Sequence, residues 1–468
     1  MRTDVEAVEM TEDAEPSRRL PLVLWALLAY LAAIITFGKG PTYLGIGPLF
    51  WGEAVVFALV AWTFWRMYIE RTPVKALLTS GGSAVLAFMC LGAVLTAIGY
   101  RAWGVDALRD AAIWYYGAFF FVGLHVARHR YLADSLWGKL QIVWLLALVW
   151  CVADTASGGR LAQAGPMVPA RGVPLLGGSG SENLQNMMLG AVLVILGAPS
   201  LRRLNWCYWV LYLLVVAGIG FFVTSPGRGA RLAVAGGILV AFVATLKARP
   251  PIFPTRKLLW GGLAVAVVVV VLTLAVGPDD LASITHLERF REASGENLAG
   301  TAYWRMVWWE NIIAAMHKHN PVFGLGLGAD LSALNPFVDN ASDPWPLRSP
   351  HNFNMTVLAR MGYAGLTLWL VVLVGGLGRL FVRLRRGGLG GRQYTPERRK
   401  ELAFWLLMLV ATWINASFGV LMEGPVLGIP FWFFLGFATR RSMGPDGFQP
   451  AADDAVRDVE SARPLLLG

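Results

Sequence analysis

The chain has 468 residues, of which 56% are hydrophobic and only 15% are charged, and its mean hydropathy is +0.55. A water-soluble protein of this size does not tolerate such a composition, so the sequence predicts an integral membrane protein. The net charge of +10 does not indicate nucleic-acid binding, because the basic residues are scattered near helix ends and form no patch interleaved with aromatic side chains.

Apolar runs of membrane-spanning length recur along the chain and predict an all-α polytopic membrane protein with about twelve transmembrane helices. Basic residues concentrate on alternate connections, which places both termini in the cytoplasm by the positive-inside rule. The predicted spans cover residues 20–37, 46–65, 76–100, 111–127, 141–156, 186–199, 205–223, 230–246, 258–277, 352–377, 403–420 and 426–438.

The polar segments divide this plan into domains. Residues 1–19 and 442–468 are polar, and we expect them to be disordered cytoplasmic tails. Residues 278–350 separate the ninth and tenth helices and are predicted to form a small helical domain on the outward side. The membrane part is thereby divided into helices 1–9 over residues 20–277 and helices 10–12 over residues 351–441.

The outward domain contains one clear helical pattern. Residues 301–318 look helical, because Met306, Trp309, Ile313 and Met316 follow the spacing of one helix face. Asn320-Pro321 then ends the helix, and Gly324, Gly326 and Gly328 predict a tight turn. The glycines alone do not indicate nucleotide binding, because the strand and the lysine of a nucleotide loop are missing.

The run Ser349-Pro350-His351-Asn352 marks the start of the tenth span. Ser and Pro are favoured at the N-cap and in the first turn, so we expect His351 in the opening turn of the helix. Free N–H groups and the positive end of the helix dipole favour a neutral imidazole and a bound anion there. Such a histidine is suited to act as a general base on a phosphate-bearing lipid substrate, and the alternative is an interfacial histidine that caps the helix.

Arginines at the outward edge are candidate phosphate ligands. Arg228 stands between glycines in the hinge before the eighth span, where it can approach a diphosphate closely, and Arg231 is an alternative for the same role. Arginines that snorkel to the interface explain the same pattern. Arg109, before the fourth span, is a further candidate, and Asp106 or Asp110 is its partner in the structural alternative.

Arg305 shares a predicted helix face with Trp308 and Trp309, which could present a cation to phosphate and aromatic surface to a sugar or lipid. The alternative is an amphipathic helix lying on the bilayer. Glu53 in the second span and Glu423 at an outward helix end could orient His351 or an arginine, or be ordinary interfacial polar groups.

Other polar and small residues are given structural interpretations. Gly362 and Gly365, three residues apart, are predicted to let another helix pack closely on one face. His125 at the cytoplasmic end of a span is interpreted as structural. The outward side offers no pair of acids spaced to hold a metal, so we expect neither a metal nor a cofactor.

At this point the sequence resembles a known family. His351-Asn352, nine residues, Gly362, two residues and Gly365 have the spacing of the His-Asn…Gly-x-x-Gly signature of O-antigen ligases and their polymerase relatives. Residues 301–328, with Arg305, look like the segment that precedes this signature. Arg228-Gly229-Ala230 is similar to the family's Ser-Arg-Gly element, although Pro226-Gly227 separates Ser225 from Arg228. The resemblance covers about residues 224–377.

The resemblance implies a GT-C-type, metal-independent inverting glycosyltransferase of the bacterial inner membrane, with its outward domain and its active site in the periplasm. Such enzymes transfer a glycan from undecaprenyl diphosphate to an acceptor hydroxyl in surface polysaccharide assembly. His351 would be the base. Substrate contacts would come from Arg228, Arg305, Arg231, Arg109, Asn352 and Arg348.

The acceptor stays open at this stage. A ligase transfers to lipid A-core, a polymerase to the growing lipid-linked chain, and a protein oligosaccharyltransferase to Ser or Thr. From a different class, a transporter of lipid-linked glycans also suits twelve spans with scattered cations, but the polar candidates cluster on one membrane face, which favours an enzyme. The expected partners are the lipid-linked donor, a glycan or lipid A-core acceptor and membrane lipid.

Overall fold

The computed structural model describes residues 20–46, 49–72, 77–168, 173–177, 180–197, 208–224, 228–246, 302–337, 348–389 and 392–443. Four features predicted from the sequence lie outside these residues. They are the tail at 1–19, the tail from 444 onward, the span at 258–277 and the hinge residues 225–227.

The described chain is mostly helical, as predicted, and its six two-residue strands pair as three antiparallel hairpins. In chain order the elements are α1 (Leu22–Phe37), β1 (Gly45–Ile46), β2 (Leu49–Phe50), α2 (Trp51–Ile69), α3 (Ser83–Trp103), α4 (Val105–Asp110), α5 (Ala112–Tyr115), α6 (Ala118–Arg128), α7 (Arg130–Ala156), α8 (Arg160–Ala164), β3 (Met167–Val168), β4 (Val173–Pro174), α9 (Ser181–Ile195), α10 (Tyr208–Thr224), α11 (Arg228–Thr245), α12 (Ala302–His319), α13 (Phe353–Leu373), α14 (Arg379–Arg386), β5 (Gly388–Leu389), β6 (Arg392–Gln393), α15 (Pro396–Ala416) and α16 (Gly428–Arg441).

Four of the described helices are long and apolar enough to cross a membrane, and three shorter ones are also apolar. Many of their large side chains face outward, such as Phe57 and Trp65 on α2 and Val94 and Ile98 on α3. This is expected where the surrounding solvent is lipid. The chain is therefore a membrane protein, and the count of about twelve spans stays a prediction. The long helices are Trp51–Ile69, Ser83–Trp103, Arg130–Ala156 and Phe353–Arg386, and the shorter ones are Leu22–Phe37, Val210–Val223 and Gly229–Thr245.

The helices α15 and α16 lie at the centre of the described core. Most of their side chains are buried, and Trp405 of α15 stacks on Phe434 of α16 with ring centroids 4.8 Å apart. α15 packs mainly against α11, and α16 packs mainly against α6. Gly436 of α16 lies against the backbone of Phe120 in α6, where no side chain would fit, so these two helices approach each other closely.

The helix α13 is broken at Gly362, and this corrects the prediction for the glycine pair. Gly362 has φ +64° and ψ −163°, which is not helical, so it does not share a regular helix face with Gly365. The break exposes two backbone donors: Tyr363 N–H donates to the Pro321 carbonyl (3.0 Å) and Ala364 N–H to the Val322 carbonyl (3.0 Å). The segment after α12 is thus docked onto the interrupted helix.

Substitution of Gly362 by Ala is expected to destabilise the fold by at least about 2 kcal/mol. A side chain is strained at positive φ, and a Cβ there would overlap the Val322 carbonyl, a backbone group that cannot move aside alone. The measurement is thermal unfolding of detergent-purified protein. The matched control is Gly378→Ala, where φ is −63° and a new Cβ would lie 3.7 Å from the Val374 side chain. Equal unfolding midpoints for the two variants would contradict this account of the break.

Candidate functional site

The helix α12 lies against the segment that carries His351. The Trp309 indole N–H donates to the Pro350 carbonyl (2.8 Å), next to His351 in the chain. The Trp304 ring meets the His351 ring edge to face, with centroids 5.6 Å apart. The Arg305 guanidinium carbon lies 5.6 Å from the centroid of the same Trp304 ring. Arg305 and His351, predicted as parts of one site, are therefore brought together around Trp304.

His351 does not lie in the opening turn of α13, so that prediction is wrong. Asn352 is the N-cap, and its Oδ1 accepts hydrogen bonds from the backbone N–H groups of Asn354 (2.9 Å) and Met355 (3.3 Å). His351 precedes the cap with φ +56°, a left-handed conformation that is uncommon for a residue other than glycine. Its N–H donates to the Ser349 hydroxyl (3.3 Å). Non-glycine residues held in this region cluster at functional sites.

The His351 imidazole is held neutral by its surroundings. Burial, and to a smaller extent the positive charge of Arg305, lower its pKa from 6.5 to about 4. The Nε2 atom is buried and has no hydrogen-bond partner among the described residues. Buried polar atoms are normally paired, so this nitrogen is available to a ligand.

Arg305 has only part of its hydrogen-bonding capacity in use within the described structure. Its Nη1 donates to the Phe418 carbonyl (3.0 Å), and its buried Nε has no partner among the described residues. Burial lowers its pKa. Trp308, predicted on the same face, is instead fully buried and donates to the Leu331 carbonyl (2.8 Å). That side chain holds α12 in place and presents no surface to a substrate.

The start of α11 lies at the same loop. Arg228 is the first residue of this helix, and its side chain lies outside the described part of the structure. Gly229 packs against Phe418, whose Cβ would be 3.0 Å from a Cβ at position 229. Arg231 is partly buried and its Nη1 donates to the Val223 carbonyl at the end of α10 (2.6 Å). Arg305 and the hinge helix therefore contact one residue, Phe418, from two sides.

Glu423 fixes the chain on both sides of His351. Its Oε1 accepts hydrogen bonds from the Ser349 hydroxyl (2.7 Å) and from the Thr356 hydroxyl of α13 (2.6 Å). Burial raises the Glu423 pKa, and the two hydroxyl donors oppose that shift. Because Ser349 also accepts from the His351 N–H, one hydroxyl links Glu423 to the backbone of His351, and the orienting role of Glu423 stays a prediction.

Glu53 faces a different group of residues. It interacts electrostatically with Tyr30, Tyr115 and Tyr116. The Tyr30 hydroxyl donates to the Pro425 carbonyl (3.2 Å), two residues beyond Glu423. Glu53 is therefore near the loop that carries Glu423.

Arg348 is engaged by acidic side chains of α4. It pairs with Asp106 (2.9 Å) and Asp110 (3.2 Å) and donates to the Gly328 carbonyl (3.0 Å). Its pKa is raised by these carboxylates against the opposing effect of burial. A substrate would have to compete with two ion pairs, so the geometry favours a structural role over the predicted substrate contact.

Sequence reasoning overlooked Arg360, a fully buried cation on α13. It forms an ion pair with Asp110 and donates to the Ala329 carbonyl (3.1 Å). Asp110 thus joins Arg348, Arg360 and the Gly328 N–H (2.9 Å). An arginine inside an apolar run was the available signal. Arg109 next to Asp110 is exposed and has no ion pair with a described residue.

Comparison with protein families gives a match in the middle of the chain. A family model described as O-antigen ligase matches residues 213–370, about a third of the chain. The matched segment begins within α10 and ends within α13, so it includes Arg228, Arg305 and His351, whereas Glu423 lies beyond it. A comparison with curated proteins found no match to this chain.

Proposed function

We propose that this membrane protein, whose residues 213–370 match a family model described as O-antigen ligase, transfers a glycan from undecaprenyl diphosphate to an acceptor hydroxyl. The proposed fold is of the GT-C type, and the reaction takes place on the periplasmic side of the bacterial inner membrane. The alternation of basic connections supports this orientation. The match to this family model supports a role in polysaccharide assembly.

The observation that carries the proposal is the unpaired, buried Nε2 of His351 beside Arg305. A neutral imidazole with a free nitrogen can take the proton from an acceptor hydroxyl, a contribution of typically about 10²–10⁴-fold in rate. The adjacent guanidinium can bind the diphosphate whose departure from the sugar must be assisted. The base, His351, and the anion-binding group, Arg305, therefore lie close together. A single displacement at the anomeric carbon requires both.

The proposed reaction is one displacement with inversion. The acceptor oxygen forms a bond to the anomeric carbon, while the bond from that carbon to the diphosphate oxygen breaks. His351 receives the hydroxyl proton, and the electron pair of the broken bond stays on the undecaprenyl diphosphate. Arg305, together with Arg228 or Arg231 from α11, stabilises that charge, so we propose that catalysis needs no metal.

Donor binding would also change the pKa of the His351 imidazole. Arg305 and burial hold the His351 pKa at about 4 in the free protein, where the imidazole is neutral but weakly basic. A diphosphate bound at Arg305 brings negative charge next to the imidazole, which raises its pKa towards the range in which a general base is effective. The histidine would therefore become a stronger base only when the donor is in place.

This change in the His351 pKa predicts that kcat/KM and kcat decline at different pH values on the acidic side. In the wild type kcat/KM, which reports the free protein, should be insensitive to this group above about pH 5 and fall as the pH approaches 4, because the base must be deprotonated. The acid limb of kcat, which reports the donor complex, should lie at higher pH. In Arg305→Gln the kcat/KM limb should also move to higher pH. A wild-type kcat/KM limb near the ordinary histidine pKa of about 6.5 would contradict the burial of His351.

The identity of the acceptor is tested by analysis of the reaction products. We place transfer to lipid A-core ahead of chain extension, supported by the match to a model described as O-antigen ligase. Purified protein is given a lipid-linked repeat unit with and without lipid A-core. The ligase proposal expects lipid A-core carrying the glycan, whereas longer lipid-linked chains in both reactions would indicate a polymerase. Donor moved across a vesicle membrane with no new glycosidic bond would identify a transporter and overturn the enzymatic proposal.

A further inference from the structure

Three metal-ligand side chains outside the candidate site come together where α2, α6 and α7 meet. Glu70 follows the last residue of α2, His125 lies in the last turn of α6, and His129 connects α6 to α7. One ligand atom from each residue lies within 4.8 Å of the other two. By the predicted topology this group is at the cytoplasmic end of the helices, opposite to His351.

The shortest separation within this group is that of neighbouring ligands around one ion, and the others are longer. His129 Nε2 lies 3.3 Å from Glu70 Oε2, yet it forms no hydrogen bond with a described residue, because the alignment is missing. His125 Nδ1 lies 4.0 Å from the same oxygen. In a tetrahedral zinc site with bonds of about 2.0–2.1 Å, neighbouring ligand atoms are roughly 3.3 Å apart. The carboxylate and the His129 ring therefore converge without bonding each other.

His125 is the second observation that points to a ligand. Its side chain is 1% exposed and its Nε2 has no hydrogen-bond partner among the described residues. Leaving a buried polar atom unpaired costs free energy, so the described residues satisfy this imidazole only in part. A metal ion bound at Nδ1, which lies 4.0 Å from Glu70 Oε2, would give the buried ring a ligand bond.

The surroundings hold Glu70 in a suitable orientation. Arg66 donates to Glu70 Oε1 (2.9 Å), which leaves Oε2 for the ion and provides the outer support that metal-binding carboxylates usually have. The end of α2 is fixed by a left-handed residue, Arg71, and by the bonds from Thr72 N–H to the Met67 carbonyl and from Arg71 N–H to the Tyr68 carbonyl.

The local charges limit which ion can bind. Arg66 and Arg128 are close enough to act on His125, so a site with one carboxylate cannot rely on net negative charge. Arg128 is turned to Thr72, whose hydroxyl accepts from its Nη1 (2.6 Å). Two imidazoles and one carboxylate suit zinc and similar transition metals, which form strong bonds to neutral nitrogen, better than calcium or magnesium.

We propose that Glu70, His125 and His129 bind a divalent transition metal ion, with Zn²⁺ the best match, and that the ion joins α2, α6 and α7. The site is independent of the proposed glycan transfer and does not supply a catalytic metal to it. Its expected effect is on the stability of the helical bundle.

The test is direct Zn²⁺ titration of the full-length, detergent-purified protein after treatment with EDTA and removal of the chelator. A colorimetric zinc indicator competes for the ion, and thermal unfolding is followed in parallel. The wild type should bind one equivalent and unfold at a higher temperature with Zn²⁺. Glu70→Gln and His129→Gln should bind at least ten times more weakly and lose the thermal shift. These two residues are less buried than His125, so their substitution is less disruptive.

The matched control is His319→Gln, at the exposed end of α12, which should bind Zn²⁺ as the wild type does. No stoichiometric binding by the wild type would overturn the proposal and leave Glu70 and His129 as a simple ion pair. Unchanged affinity in Glu70→Gln and His129→Gln would also overturn it, since the ion would then be bound elsewhere. Glycan transfer in EDTA, measured on the same samples, should persist and keeps this test separate from that of the reaction.

Discussion

Substitution of His351 by Asn is expected to lower the rate of glycan transfer by about 10²–10⁴-fold, the usual contribution of a general base. Asn removes the imidazole but tolerates the left-handed backbone conformation seen at this position, so the chain around Asn352 and Ser349 should keep its path. The measurement is the initial rate of transfer from a lipid-linked donor, with thermal unfolding as the check on folding.

His317→Asn is the matched control. His317 lies on α12, where its Nε2 is 3.1 Å from the Tyr363 hydroxyl, and it is exposed. It shares the residue type and the neighbourhood of α13, but it does not contact Trp304 or Arg305. Its substitution should leave transfer nearly unchanged. A comparable loss in both variants would show that the effect at His351 arises from disturbed packing and not from a lost base.

Substitution of Asp110 by Asn should destabilise the protein by about 3–5 kcal/mol, the largest effect on folding expected here. The change leaves Arg360 buried without its opposite charge, and breaking one partner of a buried pair is costly for that reason. The same substitution weakens the contacts to Arg348 and to the Gly328 N–H. The measurement is thermal or denaturant unfolding of the purified protein.

Asp106→Asn provides the comparison within the same helix. Asp106 pairs with Arg348 at 2.9 Å, but its side chain is 50% exposed, and exposed ion pairs contribute at most about 1 kcal/mol. A small effect at Asp106 beside a large one at Asp110 is expected. Equal effects would mean that burial of Arg360 does not determine the stability of this cluster.

Local patterns in the sequence predicted much of the helical structure. The spacing of apolar residues over 301–318 predicted a helix that the structure has at Ala302–His319. The predicted face was wrong: Met306 is exposed, and the buried face consists of Trp304, Trp308, Ile312 and Met316. Hydropathy predicted the four long apolar helices, since each of those runs is long enough to show in isolation.

Long-range contacts explain where the predictions failed. Ser349 and Asn352 are both good N-cap residues, and the choice of Asn352 follows from Trp309 holding Pro350 and Glu423 holding Ser349. Gly362 looked like a packing residue, because small-residue spacing does not distinguish a close helix contact from a left-handed break. The pairing of Asp110 with Arg360 joins residues far apart in the chain, and no local pattern reports it.

The most direct test measures donor binding and single-turnover transfer on the same purified samples of the wild type, His351→Asn and Arg305→Gln. The account predicts that His351→Asn binds the undecaprenyl diphosphate donor as the wild type does and fails to transfer it. Arg305→Gln should bind the donor at least about tenfold more weakly, since a charge-assisted contact contributes about 1.5–3 kcal/mol. Transfer by His351→Asn at a rate near that of the wild type would contradict the account and remove His351 from the reaction.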